Sequence, residues 1–221
     1  MNSTPKRERA VDGTGESPRQ VRRVVPRAVG AAVAVFAGLV VLVVAAVALL
    51  SVRIDGDSME PTLRDGERVL PLPAPDDGVD RFDVVLMRTP GRDVLLVKRV
   101  VALPGDRVRI VPAPKGGQRV LVQRAGAGRW YEVTVPGAAG AALPTPCCGA
   151  DGRRSVSPAA RTVPAGRFFF LGDHADRSDD ARSYGWADLE AVSGRVWLRT
   201  WPLAGAGPVD HGVRLRPLPG P

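Results

Sequence analysis

Three short stretches of this 221-residue chain hold side chains able to attack a peptide or ester bond. The first, Asp55-Gly-Asp-Ser-Met-Glu-Pro-Thr-Leu63, offers the Ser58 hydroxyl as a nucleophile. Gly56 permits an unusual backbone angle just before it and Pro61 stiffens the chain after it, so the serine can be displayed on a fixed turn. The same residues also read as a plain turn ahead of a strand. A nucleophilic serine needs a base, and two familiar local patterns fail: Glu60 stands where G-x-S-x-G needs its second glycine, and Pro61 where S-x-x-K needs lysine. A Ser-His-Asp arrangement would have to draw on His174 or His211, and His211 lies in a Pro/Gly-rich carboxyl-terminal stretch.

Lys98 is the stronger candidate for the base. It interrupts Val94-Leu-Leu-Val-Lys-Arg-Val-Val-Ala102, where strand alternation puts Leu96, Lys98 and Val100 on one face and Val97, Arg99 and Val101 on the other. An ammonium flanked by aliphatic groups is desolvated, which lowers its pKa from ~10.4 and yields an amine able to take a serine proton. A lysine snorkelling from a strand edge fits the same pattern. The third stretch, Gly172-Asp-His-Ala-Asp-Arg-Ser-Asp-Asp-Ala-Arg-Ser-Tyr-Gly185, follows the aromatic run Phe168-Phe-Phe-Leu171. Its aspartates resemble a calcium loop, but no Glu occupies the closing position, and a solvated turn pairing with Arg177 and Arg182 is equally compatible.

Composition narrows the setting for this chemistry. There are 31 Lys+Arg against 23 Asp+Glu, a net +8, with seven basic and three acidic residues in 1–27 giving that segment +4 alone. No basic run interleaved with aromatics, zinc-finger spacing or RNP motif follows, so a nucleic-acid groove is not expected. Two cysteines exclude a multi-disulfide mini-protein and a four-cysteine zinc site, and two separated histidines exclude an all-His metal centre. Cys147 and Cys148 are adjacent, a poor geometry for an ordinary structural disulfide. Arginine is used almost to the exclusion of lysine: Lys6, Lys98 and Lys115 are the only lysines, so amines able to act as a base are scarce.

The elements that must position these groups begin with Ala28 to Leu50, twenty-three residues without a charge. As a helix this is roughly 34 Å, enough to span a bilayer and longer than the apolar region of a cleaved signal peptide. Basic residues precede it, while Arg53 follows beside Asp55 and Asp57, so the positive-inside rule keeps 1–27 in the cytoplasm and sends the rest across the cell membrane. Ser58 then lies under about 30 Å from the end of the span. Beyond it, short apolar segments recur between turn signals: 68–72, 83–87, 93–102, 107–111, 119–123, 130–135, 167–171 and 194–201. They predict a mainly antiparallel β domain over 51–201. Residues 112–166 hold 7 Pro and 9 Gly and read as a loop-rich insertion; 1–27 reads as a disordered basic tail and 202–221 as a flexible one.

These pieces, in this order behind an anchor, resemble type I signal peptidase, a membrane-bound serine protease of the Ser/Lys type. Gly56-Asp-Ser-Met-Glu-Pro-Thr-Leu63 looks like the family's nucleophile box, Arg81-Phe-Asp-Val-Val-Leu86 like its next β-strand box, and Val97-Lys-Arg-Val-Val-Ala-Leu-Pro-Gly-Asp106 like its lysine box. Gly172 to Arg182 is similar to the final box. The resemblance implies a signal-peptidase-like antiparallel β fold after one transmembrane helix, with Ser58 as nucleophile and Lys98 as general base. It implies supporting roles for Gly56 and Met59 in the first box, for Ser178 orienting the lysine amine, and for an Asp180–Arg182 ion pair. It also implies cleavage of preprotein signal peptides after A-x-A-like sites, with the lipid bilayer as a second partner and no metal or organic cofactor. His174-Ala175 and Ala181 depart from the usual residues of the last box, and Gly56 stands where some members carry a serine that donates to the oxyanion. Two other classes fit parts of the pattern: a non-catalytic anchored β module that binds an envelope partner, and a self-cleaving Ser/Lys repressor. The latter needs a DNA-binding domain for which 1–27 is too short and unpatterned.

Overall fold

The computed structural model describes residues 27–73, 78–89, 94–113, 118–134, 159–209 and 212–219. The chain divides into two compact units, 1–43 and 44–221. Within the described residues the first unit is helix α1 (Arg27–Leu50) up to Val43. Its large side chains, among them Val33, Phe36 and Leu42, are exposed, and the uncharged run Ala28–Leu50 is long and apolar enough to cross a membrane.

The second unit holds two antiparallel sheets. The larger is built from β1 (Val52–Arg53), β2 (Arg68–Leu72), β3 (Val84–Arg88), β4 (Leu95–Ala102), β9 (Arg167–Leu171), β10 (Ala187–Asp188), β11 (Val192–Trp201) and β12 (Gly207–Pro208). Its order is β1-β2-β11-β3-β4-β9-β10, with β12 on the side of β11. The smaller is built from β5 (Arg107–Pro112), β6 (Gln118–Gln123), β7 (Trp130–Thr134), β8 (Arg161–Thr162) and β13 (Arg214–Pro217), in the order β13-β7-β6-β5-β8. One short helix, α2 (Ala181–Tyr184), follows β9. The fold is therefore mainly antiparallel β behind one amino-terminal apolar helix.

Each of the eight segments expected as strands forms one, with ends moved by at most two residues. The stretches read as loop-rich insertion and tail hold further, shorter strands beyond those eight. Residues 112–166 hold the two-residue β8 besides the expected β6 and β7, and 202–221 supply β12 and β13, the latter pairing with β7 through Leu215↔Val133 and Arg216↔Glu132. Such short pieces carry no pattern of their own, and their pairing is set by neighbouring strands already in place. Between β6 and β7, Gly126 and Gly128 take φ of 68° and 75°, conformations that favour glycine. Cys147, Cys148, His211 and the tail 1–26 lie outside the described residues.

Burial explains the uninterrupted apolar strands. In β3, Val84 and Leu86 pack with Ile54, Met59, Leu63, Val69, Val196 and Val209, while Val85 and Met87 turn to the other face among Val100, Val101 and Phe168 to Phe170. A strand covered on both faces needs no polar alternation. The second cluster also takes in Val108, Val120, Val122, Val133 and Val163, so the smaller sheet is packed on the larger through it. At the start of the unit, Arg68 of β2 donates from Nη2 to the carbonyls of Ala48 (3.1 Å) and Ser51 (2.9 Å) and from Nε to Ser51 Oγ (2.8 Å). These bonds clasp the end of α1, whose last carbonyls have no helical partners of their own.

Candidate active site

Three segments far apart in sequence meet at the nucleophile candidate. Ser58 sits half-buried in a tight turn closed by Glu60 N–H to Asp57 O (3.0 Å) and Leu63 N–H to Met59 O (2.9 Å). Met59 (1% exposed) and Leu63 anchor that turn in the core. Gly56, at φ +96°, admits the chain to it and donates its N–H to Asp65 Oδ1 (2.8 Å). Lys98 arrives on β4, across from Val85 of β3, and its Nζ lies 2.6 Å from Ser58 Oγ although forty positions separate the two residues. Lys98 is 2% exposed. Burial drives the pKa of its amine below the usual 10.5, against the opposing pull of the Asp180, Asp179 and Asp173 carboxylates.

Alternation along β4 sends the neighbouring Arg99 to the opposite face, where it is fully buried. A buried guanidinium must be paired, and Asp173, also fully buried, supplies the pair: Arg99 Nε to Oδ1 at 2.8 Å and Nη2 to Oδ2 at 2.5 Å. Nη1 donates to the Phe82 carbonyl (2.8 Å), and Thr62 Oγ1 donates to Asp173 Oδ2 (2.5 Å). One buried ion pair thus ties the serine turn, the lysine strand and the loop after β9. Sequence reasoning missed it. The available signal was an arginine inside a strand buried on both faces.

The acidic loop is engaged by protein groups. Asp180 caps α2, accepting from the Arg182 backbone N–H (3.1 Å), and pairs with the Arg182 guanidinium through Nε (2.8 Å) and Nη2 (2.8 Å). Its Oδ2 also accepts from Gly172 N–H (3.1 Å), and Arg182 Nη2 reaches the Ala175 carbonyl (2.6 Å). Ser178 lies in the same loop, 8% exposed. Its Oγ is buried without a hydrogen-bond partner, so the bond to the Lys98 amine implied by the resemblance is not formed. The hydroxyl is instead crowded against Gly172, where an added Cβ would collide with Ser178 Oγ and with the Ser58 carbonyl oxygen. His174, next in the loop, donates its backbone N–H to that Ser58 carbonyl (3.1 Å). Among the described residues no group of three or more His, Cys, Asp or Glu is arranged to hold a metal ion.

A hydroxyl and a desolvated amine in hydrogen-bond contact, on a turn braced from two sides, form an arrangement suited to nucleophilic attack on a carbonyl. The chain belongs to the signal peptidase, peptidase S26 family, whose model matches residues 27–201. It is 28% identical over 153 residues to signal peptidase IB of Staphylococcus aureus, covering 68% of this chain and 77% of that protein. It is 27% identical over 191 residues to signal peptidase I of Streptococcus pneumoniae, covering 71% and 84%. Among solved structures, a signal peptidase I from Enterococcus faecalis is similar at 23% identity and a TM-score of 0.36, over 53% of this chain and 95% of that one.

Proposed function

We propose that this family member is a membrane-anchored serine endopeptidase that removes amino-terminal signal peptides from exported preproteins, with Ser58 as nucleophile and Lys98 as general base. The observation that carries the reading is the 2.6 Å contact between Ser58 Oγ and a buried Lys98 Nζ. The uncharged amine accepts the Ser58 proton as Oγ attacks the scissile carbonyl, and the Ser58 amide donates to the developing oxyanion. The resulting ammonium protonates the departing amine, leaving an acyl-enzyme that water hydrolyses with Lys98 again taking a proton. No step calls for a metal or organic cofactor. The Asp180–Arg182 pair holds the loop that braces the serine turn through the His174 N–H and the Asp173, His174 and Arg177 side chains.

Substrates are extended preprotein segments cut after A-x-A-like sites, and α1 anchors the chain with its amino terminus in the cytoplasm and the β domain outside. The excess of basic residues before α1 supports that orientation. Trp201, 53% exposed and paired in register with Arg68, fits a place at the membrane surface, since indole rings favour the membrane–water interface on either side. Full-length protein purified in detergent is expected to cut a preprotein after an A-x-A site, with the new amino terminus identified by sequencing. Ser58→Ala and Lys98→Ala each abolish cutting; full activity in Lys98→Ala overturns the reading.

A further inference from the structure

The oxyanion donor in this mechanism is one backbone N–H, and its direction is set by a peptide unit rather than by a side chain. The Ser58 N–H and the Asp57 C=O belong to the same peptide, which is planar and trans, so the two groups point in opposite directions. Whatever holds the Asp57 oxygen therefore aims the Ser58 N–H. Two groups hold it: the Glu60 N–H, which closes the turn at 3.0 Å, and from outside the turn His174, whose Nδ1 lies 3.1 Å from Asp57 O and, since a carbonyl oxygen only accepts, carries the hydrogen. The backbone N–H of the same residue binds the next carbonyl, Ser58 O, also at 3.1 Å. Two successive carbonyls of the nucleophile turn are thus held by one residue from outside it.

On the far side of the ring Nε2 lies 3.3 Å from the Asp176 carboxylate, a contact that attracts only when the imidazole carries a hydrogen on both nitrogens. The Asp57 side chain is held in turn by Arg177 Nη1 at 3.0 Å, which keeps its carboxyl below the ordinary range, so the turn cannot roll about its own axis without breaking contacts on several sides. Donation into the Asp57 oxygen also polarises the peptide, making the Ser58 N–H a stronger donor on its opposite edge.

We infer that His174 is a positioning residue for catalysis, aiming and strengthening the Ser58 amide as oxyanion donor through the Asp57 carbonyl. The inference rests on Ser58 being the nucleophile. Its test compares His174→Ala, His174→Asn and His174→Gln in the full-length detergent-solubilised protein. Each is assayed for kcat and KM on a fluorogenic signal peptide, and for affinity toward a peptide aldehyde of the same sequence. Addition of the Ser58 hydroxyl to the aldehyde gives a hemiacetal whose oxygen occupies the oxyanion position, whereas KM reports mostly ground-state contacts.

In His174→Ala, kcat falls about 10- to 100-fold and aldehyde affinity falls in parallel, with KM little changed. In His174→Asn, whose carboxamide N–H sits near the place of Nδ1, both stay within about threefold of the parent. His174→Gln, with its amide near the place of Nε2, resembles His174→Ala. Undiminished kcat in His174→Ala, a loss of kcat without loss of aldehyde affinity, or a Gln variant better than the Asn variant would each overturn the assignment. If His174→Ala fails to fold, the Asn and Gln pair decides. Ser58→Ala and Lys98→Ala are run alongside: if they still cut, the dyad fails and this inference with it, whereas dead dyad variants beside a fully active His174→Ala remove this inference alone.

Discussion

Lys98 keeps its amine in a setting only 2% exposed, which hinders folding while it suits the amine to the proposed proton transfer. In the unfolded chain the amine titrates near its ordinary value; in the folded protein burial lowers that value. Between the two, the unfolded state binds the extra proton, so stability rises with pH across the window from the lowered pKa up to ~10.4. Below the window the full penalty of a buried ammonium is present. Lys98→Met is therefore expected to abolish cleavage and yet raise stability near neutral pH by about 1 kcal/mol or more, which is ~2–4 °C in Tm for a domain of this size. Thermal melts beside Ser58→Ala check it. In the active protein kcat/KM should climb along one acid limb whose midpoint lies below the ordinary lysine pKa. Much at this scale was legible in the sequence, because amines are scarce and one stands in an apolar run. The partners of Arg99 and His174 were not, since Asp173 is 74 positions from Arg99 and Asp57 is 117 from His174, and no local pattern encodes such meetings.

β3, β4 and β9 form the frame that brings the dyad together, and register does the positioning. Lys98 lies opposite Val85 on one side of β4, and Arg99 lies opposite Leu171 on the other, so the chain leaving β9 delivers Asp173 to the guanidinium two residues later. Removing one member of this buried pair strands the other charge. Arg99→Met is expected to cost about 3–5 kcal/mol, while Arg99→Met combined with Asp173→Asn costs distinctly less, because the lone buried carboxylate is then gone. Urea titrations of the two variants measure the difference, and equal losses would show that the charge is not what matters. The eight longer strands were readable because turn residues bracket apolar runs. The two-residue strands and β13 were not, since pairing of such short pieces is decided by neighbours already in place, as with Leu215 against Val133.

At the scale of the whole molecule, the sequence disclosed the order of parts, an uncharged helix followed by a β domain, more readily than their limits. Composition marks 112–166 as loop-rich, while the apolar pattern within it marks β6 and β7 and leaves β8 unmarked. The proposed orientation makes a plain prediction. Protease added outside intact spheroplasts should digest the β domain and leave a tag placed before residue 1 untouched; a protected β domain would reverse the topology. The Arg68 clasp on the carbonyls of Ala48 and Ser51 has a consequence for how such an enzyme selects its cutting point. In the proposed anchored state, the seven residues between Leu50 and Ser58 and the Arg68 bonds would leave the serine little freedom to stray from the lipid surface. A substrate would then be measured as by a carpenter's gauge, by how far its own hydrophobic stretch lets the chain rise before the small side chains arrive.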